Sequence, residues 1–255
     1  MPRVSVQSSD LAQRDPSSFR PVLPTLVFAS YKGGVWKTSF AVAAAERLAF
    51  SGAHVLLVTC DPQLDACARL GLQRSKVYQR VSRGPGSVTV VGVDSPTSLV
   101  YGGQADGKYQ MIVVDMPPVV HGGNLPGVYM VTPLDGPDAE ANVLFMLKGT
   151  PSTTEVLLVR VGGGPSEQWE DTASSIEELS GRSVDWLSDP IPHSVPLKRA
   201  LDNGESVWTV SRSGPALKFL AAVDTACKTF WSRATNKPFA PVPDVSDVRL
   251  EGWDT

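Results

Sequence analysis

The run from Ala29 to Ser39, ASYKGGVWKTS, sets two lysines around a pair of glycines and ends in consecutive hydroxyls. Residues of this kind handle anions. An apolar stretch from Thr25 to Ala29 leads in, and a helix-like stretch from Phe40 to Ala49 leads out. In a strand–loop–helix setting, the backbone N–H groups of Gly33, Gly34, Val35, Trp36, Lys37, Thr38 and Ser39 form a concave nest at a helix N-terminus, which favours a phosphate. Lys37 supplies a point charge to the outer phosphates, and the Thr38 hydroxyl is placed to hold a magnesium ion. One residue departs from the pattern: Trp36 stands where a glycine usually precedes the lysine. Glycine there lets the backbone approach the phosphates and accepts dihedrals that other residues resist. A left-handed conformation costs a non-glycine residue about 1–2 kcal/mol. The indole must also swing outward or take room beside the inner phosphate and the sugar. Impaired or altered nucleotide binding is therefore expected, against the simpler reading of a harmless aromatic on a loop.

Two carboxylates extend the candidate chemistry. Asp115 closes the apolar run that starts at Met111, where an unpaired charge is costly. Facing the loop, it can hold a metal-bound water beside Thr38. Asp61 follows a second apolar run, His54 to Cys60. An Asp-Pro dipeptide also initiates turns, so Asp61 has a structural reading beside a catalytic one. His54, His121 and His193 are scattered without ligand-like spacing. Cys60, Cys67 and Cys227 form no even, closely spaced framework, which fits a reducing compartment.

The segment from Lys32 to Ser39 resembles the deviant P-loop of the ParA/MinD family of partition and positioning ATPases. Tyr31 replaces the first glycine of the ordinary pattern, and Lys32 takes the family's signature position. Four further blocks follow in family order. They are Val55 to Gln63 with its DPQ ending, Tyr109 to Pro118 with a Walker B strand and switch, Val128 to Pro133, and Ile191 to Val207. The resemblance implies an α/β fold, a doubly wound, mostly parallel sheet flanked by helices. It implies ATP and Mg2+ as cofactors, ATP hydrolysis, and a nucleotide-sandwich homodimer. Lys32, Lys37 and Asp61 would be the catalytic set, with Lys32 reaching the partner's phosphates and Asp61 orienting water. Thr38 and Asp115 would hold the metal. Thr59 stands where relatives often carry another aspartate, which removes a negative charge near the metal. Arg160 ends a strand where relatives tend to place an asparagine that reads adenine; an arginine can stack on the base instead. Pro192 lies where the family packs against the purine.

Several elements must position these groups. Continuous apolar runs suit strands buried on both faces, the habit of parallel sheets. Strands are expected at Leu26–Ser30, His54–Cys60, Val88–Val93, Met111–Asp115, Gly127–Thr132 and Glu155–Val161. Helices are expected at Lys37–Ser51, Pro62–Leu70, Pro137–Lys148, Ser166–Leu179, Pro196–Asn203 and Pro215–Ser232. With 255 residues and 42% apolar content, one ATPase domain over 25–235 can bury a full core. Residues 1–24 read as a flexible extension without a secretory signal, and 236–255 as an acidic, proline-containing mobile tail.

The net charge of −3 excludes a globally basic nucleic-acid binder. A local excess remains: Lys198, Arg199, Arg212, Lys218, Lys228, Arg233 and Lys237 face only Asp202, Glu205 and Asp224 between Pro196 and Lys237. Such an excess can neutralise phosphates without reading sequence. ParA-like proteins use basic residues in this region, doubled by dimerisation, to hold nonspecific DNA. The resemblance thus implies plasmid partition or DNA segregation, with a centromere-binding or cargo adaptor protein triggering hydrolysis. It also implies a cytoplasmic protein that is nucleoid-associated when ATP-bound. A degenerate, nucleotide-insensitive scaffold or regulator is the rival that Trp36 and Thr59 favour. No apolar run approaches the roughly 20 residues needed to span a bilayer. The acidic, proline-broken C-terminal stretch is unlike a membrane-anchoring amphipathic helix.

Overall fold

The computed structural model describes residues 20–241, apart from 104, 106, 119–124, 126, 136–138, 163–165 and 210–213. His121 and Arg212 lie outside the described residues. Among the described residues eight strands form one sheet: β1 (Thr25–Phe28), β2 (His54–Thr59), β3 (Gln79–Arg83), β4 (Gly86–Gly92), β5 (Met111–Asp115), β6 (Tyr129–Leu134), β7 (Glu155–Val161) and β8 (Asp185–Ile191). Their order is β3-β4-β2-β5-β1-β6-β7-β8. Every neighbouring pair is parallel except β3 with β4. The helices are α1 (Lys37–Phe50), α2 (Asp65–Arg69), α3 (Thr97–Tyr101), α4 (Ala139–Lys148), α5 (Ser166–Ser180), α6 (Val195–Asp202) and α7 (Gly214–Ala234), with a 3-10 turn at Val207–Thr209. This is the expected α/β, doubly wound, mostly parallel sheet.

The strand sequences divide their side chains by the period of two that pleating imposes. Leu26, Phe28, Val55, Leu57 and Val113 face one apolar layer, shared with α1 and α7. Val27, Leu56, Val58, Ile112 and Val114 face the other, shared with α3, α4 and α5. β1 lies in the middle, with Phe28 registered against Asp115 of β5 and Val131 of β6. The loop leaving β1 therefore opens at the point where the strand order reverses, the usual ligand crevice of such sheets.

Two strands and one helix were not legible in the sequence. β3 alternates in burial along QRVSR and pairs antiparallel at the sheet edge. β8, DWLSDPI, is an edge strand with a proline and a register shift against β7. Polar edge strands of this kind lack the apolar run that marks a central strand. The short α3 was the missed helix, and the expected helix at Pro62 instead begins at Asp65. The boundary at residue 235 also falls inside a tied segment. Trp231 Nε1 donates to the Lys237 carbonyl, and Arg47 Nη2 donates to the Ala240 carbonyl. A buried cation on α1 holds this stretch, and composition could not report that.

Candidate functional site

α1 is buried at every position but Thr38. Its alanines, Ala41 and Ala43 to Ala45, allow close approach of the sheet on one side and α7 on the other, and Trp208 Nε1 donates to the Ala43 carbonyl at 2.9 Å. A helix so fixed presents its N-terminus rigidly. That end carries no side-chain cap, because the N-cap residue is Trp36. The free N–H groups of the first turn are left for an incoming acceptor.

Trp36 adopts the left-handed conformation a glycine would take, φ 67° and ψ 12°. Its indole swings to the side, against His193 (centroids 5.7 Å apart) and Phe219 (5.6 Å). A cavity of about 640 Å³ lies before the loop, within the range of small-molecule sites, roughly 300–1,000 Å³. All seven residues from Gly33 to Ser39 line it, together with Asp61, Gln63, Asp65 and Arg69, Met116 to Pro118 after β5, and His193 to Val195, Lys198, Leu201 and Asp202. Its far end is fixed where the chain after α2 meets the chain after α6. A Cβ on Gly204 would lie 2.6 Å from the Gly71 Cα, so only glycine permits that crossing.

Thr38 and Asp115, the residues expected to hold a metal, lie within hydrogen-bond distance of each other. Thr38 Oγ1 donates to Asp115 Oδ1 at 3.2 Å, and Thr59 Oγ1 donates to Asp115 Oδ2 at 3.3 Å. Asp115 is fully buried, and that burial pushes its carboxyl up to about 7. Lys37 Nζ donates to the Lys32 carbonyl at 2.8 Å, and burial lowers its pKa. A buried carboxylate beside hydroxyls offers hard oxygen donors, which suits magnesium with water and phosphate oxygens filling the remaining positions. Among the described residues no cluster of three His, Cys, Asp or Glu could hold a metal unaided. The residues fit a metal that arrives with phosphates.

Other predicted residues are placed differently. Lys32 Nζ donates to the Asp135 carbonyl at 3.0 Å within its own chain. Asp61 accepts from the Gln63 N–H at 2.9 Å, the turn-forming bond, while also lining the cavity. Arg160 is half-buried on β7 and, like Pro192, is not among the cavity-lining residues. Of the basic residues proposed for DNA, Lys198 pairs with Asp202 and Lys228 with Asp224, and Arg233 pairs with Glu155 and Asp185. Arg199 and Lys218 are exposed, with no ion pair among the described residues. Sequence reading missed Arg69, which donates to the Ser39 hydroxyl. It lies thirty positions downstream on a helix whose start depends on Leu64 at φ 54°, a conformation its side chain does not announce.

The profile of the AAA domain family matches residues 24–93, the stretch that holds the loop and Asp61. No curated protein matches the sequence. Among solved structures, MinD complexed with Mg-ADP from Pyrococcus horikoshii is similar at TM-score 0.61 and 15% identity, covering 82% of this chain and 97% of that one. Apo McdA from Cyanothece is similar at 0.59 and 16%, covering 80% and 99%. Cobyrinic acid a,c-diamide synthase from Mycobacterium smegmatis, with a bound ATP analogue and magnesium, is similar at 0.55 and 16%, covering 86% and 100%. The fold is ParA/MinD-like, in agreement with the resemblance read from the sequence. Since it also serves a synthase, function must be argued from the site.

Proposed function

We propose that this chain is a ParA-like ATPase that binds ATP with magnesium in the cavity before the Gly33–Ser39 loop. One observation carries the reading: an uncapped helix N-terminus and the Lys37 ammonium line one cavity of nucleotide size, and the buried Asp115 carboxylate lies behind it, bonded to the lining residue Thr38. Each is a buried or half-satisfied polar group whose natural complement is a triphosphate with its metal. On binding, Lys37 leaves the Lys32 carbonyl for the outer phosphates, and Thr38 and Asp115 hold the metal, directly or through water. Magnesium would supply charge neutralisation along the phosphates. Asp61, already at the cavity wall, orients the attacking water.

The finer reading follows the same chemistry. Lys32 exchanges the Asp135 carbonyl for a phosphate on a second copy, giving a homodimer. Arg199 and Lys218, with Lys198, Lys228 and Arg233 drawn from their surface ion pairs, then offer a basic face for nonspecific DNA. Surface pairs of that kind are worth little and exchange readily. A centromere-binding or cargo adaptor protein would trigger hydrolysis. Among the described residues no helix is long and apolar enough to cross a membrane.

Trp36 alters the site rather than closing it, since its indole lies toward His193 and leaves the loop open to the cavity. Trp36 and Thr59 still favour a second reading, a nucleotide-insensitive scaffold. Calorimetric titration of ATP and ADP with magnesium separates the two. Binding that Lys37→Ala abolishes supports the ATPase reading. Absence of binding by the unaltered protein leaves the scaffold.

A further inference from the structure

Ser39 is the third residue of α1 and is buried, with its hydroxyl accepting a hydrogen bond from Arg69 Nη1. Successive helical residues are rotated by about 100°. Thr38 therefore turns its hydroxyl to Asp115 on one flank of the loop, while Ser39 turns its own to α2 on the other. The first flank holds the metal pair. The second holds a guanidinium.

That guanidinium is poorly matched to its surroundings. It has five N–H donors in a fork built for oxyanions. Among the described residues its one hydrogen-bond acceptor is the Ser39 hydroxyl, and it has no ion pair. The acids of the same cavity are engaged elsewhere. Asp65 accepts from Arg74 at 2.7 Å, Asp202 from Lys198 at 2.7 Å, and Asp61 from the Gln63 N–H. A half-buried cation left with one neutral acceptor in the cleft that the Gly33–Ser39 loop lines has an evident complement, an oxyanion.

The backbone points the same way. Trp36 and Leu64 are the non-glycine residues with positive φ among the described residues. Trp36 opens α1, and Leu64 opens α2, the helix that ends in Arg69. Strained dihedrals persist where the surrounding structure imposes them, and they cluster at functional sites. Here both launch helices that aim polar groups into the same cavity.

We infer that Arg69 is a phosphate-binding residue, grasping the inner phosphate of a nucleoside di- or triphosphate on the flank opposite Asp115. The assignment rests on the nucleotide reading above. Lys37 serves the outer phosphates, so the position beside Ser39 falls to the phosphate nearer the nucleoside. On binding, Arg69 exchanges a neutral hydroxyl for an anionic oxygen, a charge-assisted bond of the strong kind.

Titration of MgADP and MgATP into the unaltered protein, Arg69→Ala and Arg69→Lys tests this. Arg69→Ala should weaken both nucleotides about tenfold or more, the expected effect of losing a hydrogen bond to a charged group. Arg69→Lys should recover part of that loss, because it keeps the charge and loses the fork. Equal affinity in the unaltered protein and Arg69→Ala overturns the assignment and leaves the nucleotide reading standing. Failure of the unaltered protein to bind either nucleotide overturns both. A measurement without substitution covers the case in which Arg69→Ala does not fold. Phenylglyoxal labelling of the unaltered protein, read by mass spectrometry, should show Arg69 protected by MgADP. Labelling unchanged by saturating MgADP overturns the assignment.

Discussion

The two ends of α1 both bury charge, and they do so in opposite ways. At the C-terminal end, Glu46 and Arg47 are fully buried and matched by opposite charges. Arg83 lies 2.5 Å from Glu46, and Asp224 lies 2.7 Å from Arg47. Ser206 adds a bond to Glu46, Ser51 and Ala240 add bonds to Arg47, and the Phe239 ring lies 4.0 Å from the Arg47 guanidinium carbon. At the N-terminal end, the side chains of Lys37, Asp115 and Arg69 have only carbonyl or hydroxyl hydrogen-bond partners among the described residues. Desolvation costs both ends. One end answers it within the chain, while the other leaves the answer to a ligand. Buried charge alone therefore does not mark a site; buried charge with neutral partners does.

The largest expected difference follows from that contrast. Arg47→Ala strands Asp224 and releases the Ala240 carbonyl. Breaking a buried pair by removing one partner costs about 3–5 kcal/mol, which urea unfolding would register as a much lower midpoint. Lys37→Ala removes a cation whose burial is opposed, so unfolding free energy without nucleotide should change by less than about 1 kcal/mol. Nucleotide binding should be lost. Comparable destabilisation by the two substitutions would erase the distinction between the two ends.

A pH series probes the same end more finely. An unfolded aspartate titrates near 4, whereas burial holds the Asp115 carboxyl at about 7. Between those values the folded protein keeps a proton that the unfolded chain has released. Stability without nucleotide should therefore fall as pH rises through that window, by up to about 1.4 kcal/mol per unit, and level off above it. Asp115→Asn removes this dependence. Its lead in melting temperature over the unaltered protein should widen from pH 4 to pH 7 and then level off. Magnesium needs the ionised carboxylate, so MgADP affinity should rise from pH 6 to pH 8. A melting-temperature difference between the two proteins that does not vary with pH would refute the assignment of an uncompensated carboxylate.

The loop, the Thr38–Asp115 pair and the buried central strands were legible because each is written locally. A glycine pair before a lysine, or an apolar run ending in an acid, survives in one dimension. Arg69 was not legible, since its meeting with Ser39 needs α2 to start at Leu64 in a conformation leucine seldom takes. The Arg47 anchor was hidden for a similar reason. Its partners Asp224 and Ala240 lie 177 and 193 positions away. β3 and β8 escaped because edge strands carry polar residues that interrupt the apolar pattern. Trp36 was legible as an anomaly, but sequence alone left the direction of its indole open.

That anomaly yields the smallest predicted change in stability and the most informative change in binding. Trp36→Gly relieves a left-handed residue, a gain of about 1–2 kcal/mol. It also forfeits the contacts of the indole with His193 and Phe219, whose burial opposes that gain. The two effects are of similar size, so the melting temperature should move little in either direction. Binding separates them, because the indole touches the loop that leads into α6 while leaving the phosphate nest clear. If the tryptophan crowds only the nucleoside side, Trp36→Gly should tighten MgATP and leave magnesium pyrophosphate unchanged. Equal tightening of both ligands would mean that the strained backbone itself misaligns the amides. No change in either would make the indole a structural plug between α1, α6 and α7, with no part in recognition.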